Sequence, residues 1–264
     1  MNTTSTTIGF LGVGSISRAM VAGLLTGDSS ERPQVVLSPR GTATVARLKQ
    51  EFPQVTVVSS NADVVAQSDV VVLAVRPDQL DEALDGVKFH PGQTVVSVLA
   101  GVLVDTLRAA IGHDDIPVAR AIPLPPVAEH AIVVPVTPPL PAALALFDRM
   151  GGAFPVEDEK QLAVLSAVTG SCTGLLQYVR TLCDWSVFQG LDRLTMEPFI
   201  RGMVASLSPA LQDPAETMDE VVASHETPGG LNEQLRTEFF DPAGTKRLFG
   251  ALDHIHARAT GSDD

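Results

Sequence analysis

The sequence predicts an α/β fold in which a parallel sheet with helices on both faces is followed by an all-helical domain. Up to about residue 156, short β-branched runs alternate with amphipathic segments. Several of these runs are apolar throughout, as in parallel strands that are buried on both faces. After Glu157 the apolar residues recur only at helical spacing. We therefore expect a sheet domain over residues 1–156 and a helical domain over residues 157–264.

The apolar runs of the first domain place its strands and helices. We expect strands at Thr7–Leu11, Val35–Leu37, Thr56–Val58, Val70–Ala74 and Thr94–Val98. The helices expected between and after them are Ile16–Leu25, Thr42–Glu51, Ala62–Gln67, Leu80–Asp85 and Val104–Ile111. This alternation is typical of a doubly wound, Rossmann-type parallel sheet.

Two further strands fall in a proline-rich stretch, at Val118–Ala121 and Ile132–Val136. Proline cannot donate to a sheet ladder, so we expect these two strands at an edge, or the prolines at strand ends. In the second domain the spacing predicts long helices at Leu175–Val187 and Glu197–Leu211, with Pro198 in the first turn of the latter. A shorter helix is expected near residues 216–222 and a last helix from Leu231.

Composition excludes several classes of partner. The net charge of −13 argues against a nucleic-acid partner, because phosphate binding needs a basic face. The two cysteines, Cys172 and Cys183, form neither a disulfide framework nor a metal-ligand spacing, so we expect no metal and a reduced, cytoplasmic location. The N-terminal stretch has no basic region before an apolar core, and the longest apolar run, 94–104, is too short to span a bilayer. We therefore expect neither a signal peptide nor a membrane partner.

A G-x-G-x-x-S stretch from Gly12 to Ser17 follows the first predicted strand and opens the first predicted helix. In that context Gly12 allows a sharp turn and Gly14 lets the backbone approach a pyrophosphate. Ser17 is small enough for the helix to pack closely on the sheet. The first amides of the helix would then face the phosphates. The alternative is a plain tight turn between a strand and a helix.

The end of the second strand carries no acidic residue, although NAD-binding sites usually place one there for the ribose hydroxyls. Ser38 and Arg40 instead offer a donor and a positive charge suited to a 2′-phosphate. This favours NADP(H) over NAD, unless Arg40 is an ordinary exposed arginine.

Four segments together resemble the pyrroline-5-carboxylate reductases, in the order in which that family carries them. They are IGFLGVGSISRAMVAGLL (8–25), SDVVVLAVRP (68–77), SVLAGV (97–102) and TPGGLNEQL (227–235). The resemblance implies NADPH-dependent reduction of a small cyclic imino acid, 1-pyrroline-5-carboxylate to proline. It also implies a nucleotide-binding domain followed by a helical domain that interleaves with a second subunit. The helical domain alone is too thin to bury its own apolar faces, so we expect at least a homodimer.

The resemblance implies a set of cofactor-binding residues in the first domain. They are Gly12, Gly14, Ser15, Ile16, Ser38, Arg40, Asn61, Ala74, Val75, Arg76, Pro77, Ala100 and Gly101. The first four would hold the pyrophosphate, the next two the 2′-phosphate, and Asn61 the adenosine half. The last six would line the ribose and nicotinamide side. Nearly all lie at strand ends or in the turns that follow, where an open parallel sheet places its ligand.

The substrate half departs from the family pattern. Leu124 stands where the family has asparagine, Cys172 and Thr173 replace glycine and proline, and Leu231 and Asn232 replace two threonines. A substrate carboxylate needs amides or hydroxyls, and a buried carboxylate with too few donors is costly. The resemblance still implies candidate catalytic and substrate-binding residues, which are Ser171, Thr173 and Asn232, and Gly229, Gly230, Leu124 and Leu231 respectively.

These departures leave alternatives open. The chain could reduce a different, more apolar imine, or it could bind NADP without turnover as a sensor or assembly protein. A related β-hydroxyacid dehydrogenase is less well supported. That group relies on a lysine in the helix after the domain boundary, and the only lysine near that point, Lys160, lies well before the TGS segment at 169–171. His225 and Glu226 are inserted before the glycines, either as a proton donor beside the site or as solvated loop residues.

Overall fold

The computed structural model of this protein describes residues 6–26 and 32–260. Residues 1–5, which hold most of the N-terminal stretch interpreted above, lie outside the described residues. The chain divides into two compact units. The residues up to Ser166 and those from His256 onward form the sheet unit, and Ala167–Ile255 form the helical unit. The domain boundary after residue 156 stays a prediction.

The sheet unit is built on one twisted sheet of eight strands within the described residues. The strands are β1 (Thr7–Leu11), β2 (Gln34–Leu37), β3 (Thr56–Val57), β4 (Val70–Leu73), β5 (Thr94–Ser97), β6 (Val118–Ala121), β7 (Val134–Thr137) and β8 (Ala153–Pro155). Their order is β3-β2-β1-β4-β5-β6-β7-β8. Chain order reverses between β1 and β4, so this pair marks the topological switch point.

Helices cover both faces of the sheet, as the sequence predicts. They are α1 (Ser15–Thr26), α2 (Thr42–Glu51), α3 (Asn61–Ala66), α4 (Leu80–Leu84), α5 (Val104–Ile111) and α6 (Pro141–Asp148), with α7 (Glu159–Thr169) running on toward the helical unit. Side chains of β4 show why the strands are apolar throughout. Val70 and Val72 pack into the core under α1, α2 and α6, whereas Val71 and Leu73 pack into the core under α3, α4 and α5. A strand with a buried face on each side cannot alternate with polar residues.

The proline-rich stretch differs from the prediction. β6 and β7 each have a neighbour on both sides, so the expected edge position is wrong. The edge strand on this side of the sheet is β8, and neither β8 nor α6 was predicted. Pro135 is tolerated inside β7 because the ladder uses its carbonyl, which accepts from the Ile122 amide at 3.2 Å. The β6–β7 pair is also antiparallel rather than parallel, since the connection between them contains only a 3₁₀ turn, Pro125–Glu129, and no crossover helix.

The helical unit contains α8 (Ser171–Phe188), α9 (Arg193–Ala205), α10 (Ser208–Gln212), α11 (Met218–Ser224), α12 (Leu231–Phe239) and α13 (Pro242–Ala259), whose last turn returns to the sheet unit. The start predicted for α9 is wrong. Asp192 caps the helix by accepting from the Thr195 amide at 3.0 Å, so Pro198 lies in the helix interior and not in its first turn. The last predicted helix is two helices, α12 and α13.

Large apolar side chains remain exposed on the helical unit. Phe188 is 84% exposed, Leu194 85% and Phe199 65%. By length and composition, Glu159–Phe188 is also long and apolar enough to cross a membrane, with 17% of its most apolar window buried. The same composition is found in helices whose apolar face is covered by protein.

Candidate nucleotide-binding site

A cleft of about 300 Å³ lies at the carboxyl ends of β1, β2 and β4, at the switch point of the sheet. Its lining consists of Gly12, Val13, Gly14, Ser38, Arg40, Gly41, Asn61, Ala74, Val75, Arg76, Gln79 and Ala83. Eight of the thirteen residues predicted to bind the cofactor are among them. Ligands of open parallel sheets bind in this position because the loops after the strands diverge there.

The glycine turn is held by backbone geometry and two serine hydroxyls. Gly12 has φ +90°, and a Cβ added there would lie 2.7 Å from the Ala74 carbonyl oxygen, so only glycine fits. The Gly12 amide donates to Ser38 Oγ at 3.1 Å, and Ser17 Oγ donates to the Gly12 carbonyl at 2.7 Å. Ser17 therefore closes the turn, in addition to being small, and buried Ser38 braces it from β2.

The space above Gly14 is open. A Cβ added at Gly14 would meet no protein atom within 4 Å, whereas Gly12 is tightly enclosed. Ser15 and Ile16 form the first turn of α1, where the first four amides of a helix have no intrahelical acceptor. Ser15 and Ile16 lie outside the lining residues, but this helix start directly follows Gly14, which lines the cleft. A helix start beside a cleft is an arrangement that suits a pyrophosphate.

Arg40 lies in the turn after β2 and forms an ion pair with Glu82 on α4. The hydrogen bond from Arg40 lowers the pKa of the Glu82 carboxyl, and the same contact raises the pKa of Arg40. Gly41, which follows with φ +83°, packs so closely on the glycine turn that a Cβ would lie 2.6 Å from the Val13 carbonyl oxygen. Gly41 was not among the residues predicted to bind the cofactor, although its place just before α2 was a usable signal.

Asn61 joins two helices on the opposite wall. Its Nδ2 donates to the Ala83 carbonyl at 2.8 Å, which ties the start of α3 to α4. A second cleft of about 260 Å³ adjoins the first, and Arg40 and Asn61 line both. Its remaining lining is Pro39, Ser59, Ser60, Ala62 and Asp85. The two clefts together offer an elongated groove with Arg40 between them.

The loop after β4 lines the cleft, whereas the predicted residues after β5 do not. Ala74, Val75 and Arg76 line the cleft, and the Ala74 amide is held by the Leu11 carbonyl at 2.8 Å. Pro77 opens the following 3₁₀ turn, outside the lining residues. Ala100 and Gly101 are exposed in the turn after β5 and also lie outside the lining.

An ion pair that sequence analysis did not anticipate lies in the same unit. Arg120 on β6 is 4% exposed, and its Nη1 donates to Glu159 Oε1 at 2.6 Å. The same carboxylate oxygen accepts from the Val104 amide at 3.0 Å, at the start of α5. Glu159 thereby links β6, α5 and α7. The signal in the sequence was a charged residue, Arg120, inside an otherwise apolar strand pattern.

The predicted substrate residues lie apart in the chain, Leu124 in the sheet unit and the others in the helical unit. Leu124 is half-buried just before the 3₁₀ turn Pro125–Glu129. Thr173 and Leu231 are exposed, and Leu231 opens α12. These assignments stay predictions.

Within the helical unit, polar groups among the predicted substrate residues bond to nearby chain. Ser171 Oγ donates to the Val168 carbonyl at 2.7 Å, and Asn232 Nδ2 to the His225 carbonyl at 2.7 Å. The Gly229 amide donates to Glu233 Oε2 at 2.6 Å, and the Gly230 amide to the Thr227 carbonyl at 2.7 Å. To hold a carboxylate, these donors would have to exchange partners.

His225 and Glu226, which precede the glycines, also bond to nearby residues. Glu226 forms an ion pair with Arg236, which lowers the pKa of the Glu226 carboxyl. His225 Nδ1 lies 2.8 Å from the Val221 carbonyl oxygen.

Comparison with known proteins supports the interpretation of both units. A family model described as NADP oxidoreductase, coenzyme F420-dependent, matches residues 7–101, which contain the glycine turn and all the lining residues of the cleft. Pyrroline-5-carboxylate reductase 2 of Bacillus subtilis is 27% identical over 248 residues, covering 90% of this chain and 83% of that protein. This chain is therefore similar to the pyrroline-5-carboxylate reductases over most of its length.

One further relative and one solved structure of similar fold extend the comparison. Pyrroline-5-carboxylate reductase 1 of Dictyostelium discoideum is 32% identical over 118 residues, which are 44% of this chain and only 21% of that protein. The crystal structure of a Plasmodium falciparum pyrroline carboxylate reductase with NADP bound matches with a TM-score of 0.79, over 98% of both chains at 15% identity. The predicted resemblance and the predicted fold class are therefore confirmed.

Proposed function

We propose that this protein is an oxidoreductase that binds NADP(H) at the switch-point cleft and reduces a small cyclic imino acid, with 1-pyrroline-5-carboxylate to proline as the first choice. The observation that carries the proposal is the glycine turn, which is closed on the protein side at Gly12 and open at Gly14. A turn that served only to connect β1 and α1 would need no such open space beside unpaired amides.

The residues of the cleft fit the cofactor in a defined direction. The amides at Gly14 and the start of α1 would bind the pyrophosphate, and Arg40 would bind the 2′-phosphate. Asn61 and the second cleft would take the adenosine half. Ala74 to Pro77 and the Ala100–Gly101 turn would face the nicotinamide side, where bound NADPH supplies the hydride.

The substrate end rests on positioning. Ser171, Thr173, Asn232 and the amides of Gly229 and Gly230 are the donors we propose for the substrate carboxylate. The substrate would arrive as a protonated imine, so the chain would need to hold and orient it without a dedicated acid. Leu124 makes this end less polar than in the family pattern, which favours a more apolar imine as the second candidate substrate.

The exposed apolar faces of the helical unit support a homodimer. Side chains such as Phe188 and Leu194 would cost free energy in water, and a second copy of the chain is the partner that the family resemblance implies. We propose a cytoplasmic location on the cysteine content. Size-exclusion chromatography with light scattering measures the mass and checks the dimer.

The experiment that tests the function combines binding with turnover. NADPH binding is followed by fluorescence, and NADPH consumption is followed with 1-pyrroline-5-carboxylate and with a cyclic imine that lacks a carboxylate. We expect Gly14→Ala to fold normally, because its Cβ meets no protein atom, and to weaken NADPH binding about tenfold by crowding the phosphate. Gly202→Ala, at an open position on α9, is the control that should bind NADPH like the wild type.

The outcomes separate the candidate functions. Turnover of the carboxylate-bearing imine supports the first substrate, and faster turnover of the apolar imine supports the second. NADPH binding without consumption of either imine would favour the non-catalytic NADP-binding protein. Absence of NADPH binding would overturn the proposal.

A further inference from the structure

The ion pair between Arg40 and Glu82 connects two walls of the cleft. Arg40 comes from the turn after β2, and Glu82 comes from α4, the helix that follows β4. Gln79 and Ala83, on either side of Glu82 in sequence, line the same cleft as Arg40. The carboxylate thus engages the guanidinium that the proposed function assigns to the 2′-phosphate.

The backbone of Glu82 is held by the packing of its neighbours in α4. Leu80 and Ala83 of α4 are buried against the sheet, at 4% and 1% exposure. The Ala83 carbonyl is held by Asn61 Nδ2 at 2.8 Å. α4 therefore keeps the backbone of Glu82 beside the cleft whether or not Arg40 bonds to its carboxylate.

A phosphate at Arg40 would meet this carboxylate. Carboxylate and phosphate both carry negative charge and both seek the same guanidinium donors, so they compete for it. Both side chains of the pair are more than half exposed, at 58% and 60%, so exchanging the carboxylate for a phosphate requires no buried rearrangement. Arg76, the other arginine of the lining, has an acidic neighbour on its own turn, Asp78, at 3.6 Å.

We propose that Glu82 is a specificity-determining residue that competes with the 2′-phosphate for Arg40 and so limits the preference for NADPH over NADH. This inference rests on the proposed function, because it assumes that the nucleotide binds in this cleft. NADH has no 2′-phosphate, and its binding does not require Arg40 to leave Glu82. The chain thereby holds an acidic residue that opposes NADP selectivity, supplied by α4 instead of by the end of β2.

The test measures the dissociation constants of NADPH and NADH by fluorescence titration at one ionic strength, because the effect is electrostatic. The variants are Glu82→Gln, Arg40→Ala and the double variant, with Asp81→Asn, one residue earlier on α4, as the matched control for loss of one negative charge. We expect Glu82→Gln to bind NADPH about three- to tenfold more tightly and NADH within about twofold of the wild type. Asp81→Asn should leave both constants within about twofold.

The double variant shows whether the effect passes through Arg40. In the Arg40→Ala background, Glu82→Gln should no longer tighten NADPH binding. An equal gain in that background, an equal gain for NADH, or weaker NADPH binding by Glu82→Gln would each overturn the inference. Failure of the proposed function looks different, since then neither nucleotide would bind to the wild type or to any variant.

Discussion

The sheet unit and the helical unit differ in how far they bury their apolar side chains. In the sheet unit, every strand from β4 to β6 is buried along its length, and two cores cover the two faces. In the helical unit, among the residues described, α8 buries only Cys183 and Ser186 and α9 only Ile200, while phenylalanines and leucines of these helices face outward. The sheet unit can therefore preorganise its cleft within one chain, whereas the helical unit leaves large apolar side chains exposed.

The largest expected difference in stability between the two units comes from replacing one phenylalanine in each of them by alanine. Phe10→Ala, in β1, removes a side chain with 0% exposure and should lower the free energy of unfolding by about 4 kcal/mol through the cavity it leaves. Phe188→Ala, on α8, removes one that is 84% exposed and should change the stability of the isolated chain by less than about 0.5 kcal/mol.

Urea denaturation measures the change in unfolding free energy, and light scattering measures self-association. Phe188→Ala should instead weaken self-association, if the second copy covers that face. A dimer unchanged in affinity, with a loss of stability comparable to that of Phe10→Ala, would contradict the comparison between the units.

A smaller loss of stability is expected when the ion pair between Arg120 and Glu159 is broken. Glu159→Gln leaves the Arg120 guanidinium buried without its counter-charge, and we expect a loss of about 2 kcal/mol of unfolding free energy. Glu157→Gln, at an exposed position two residues earlier, is the control and should change stability by less than about 0.5 kcal/mol. Chemical denaturation of both variants measures the difference, and equal losses would show that the buried pair has no special role.

The smallest expected effect concerns a helix start in each unit. Ser59 and Ser60 hydroxyls donate to the Asp63 carboxylate at the start of α3, and the Thr217 amide and hydroxyl donate to Glu220 in the capping box of α11. These hydrogen bonds lower the pKa of both carboxyls. A lowered folded-state pKa contributes stability that is present above the unfolded pKa, about 4, and is lost as the pH falls through the folded value.

Asp63→Asn and Glu220→Gln should therefore each make the decline in stability between neutral pH and about pH 3 shallower than in the wild type. Denaturation curves at several pH values measure this slope. A steeper acid decline in either variant would contradict the assignment of these hydrogen bonds to the folded state.

The cofactor end of the site could be predicted further than the substrate end. Gly12 and Gly14 stand between a strand and a helix, and that local context already indicates a turn with an open side. Ser171 and Asn232, which we propose at the substrate end, have no comparable local context, because the pattern around them does not predict a binding turn. The start of α9 could also have been predicted from the local sequence. Asp192 stands directly before the helix, and aspartate in that position is an N-cap signal.

The sequence by itself determined strands β1 to β7, the position of the glycine turn and the change to a helical pattern after Glu157. These features depend on hydrophobic periodicity and on glycine geometry, which act over a few residues. Only the tertiary structure decided that β7 lies inside the sheet, that Glu159 reaches Arg120, and that Glu82 faces Arg40 across 42 residues of chain. Such contacts follow from how packed elements place distant side chains together, and no local pattern encodes that placement.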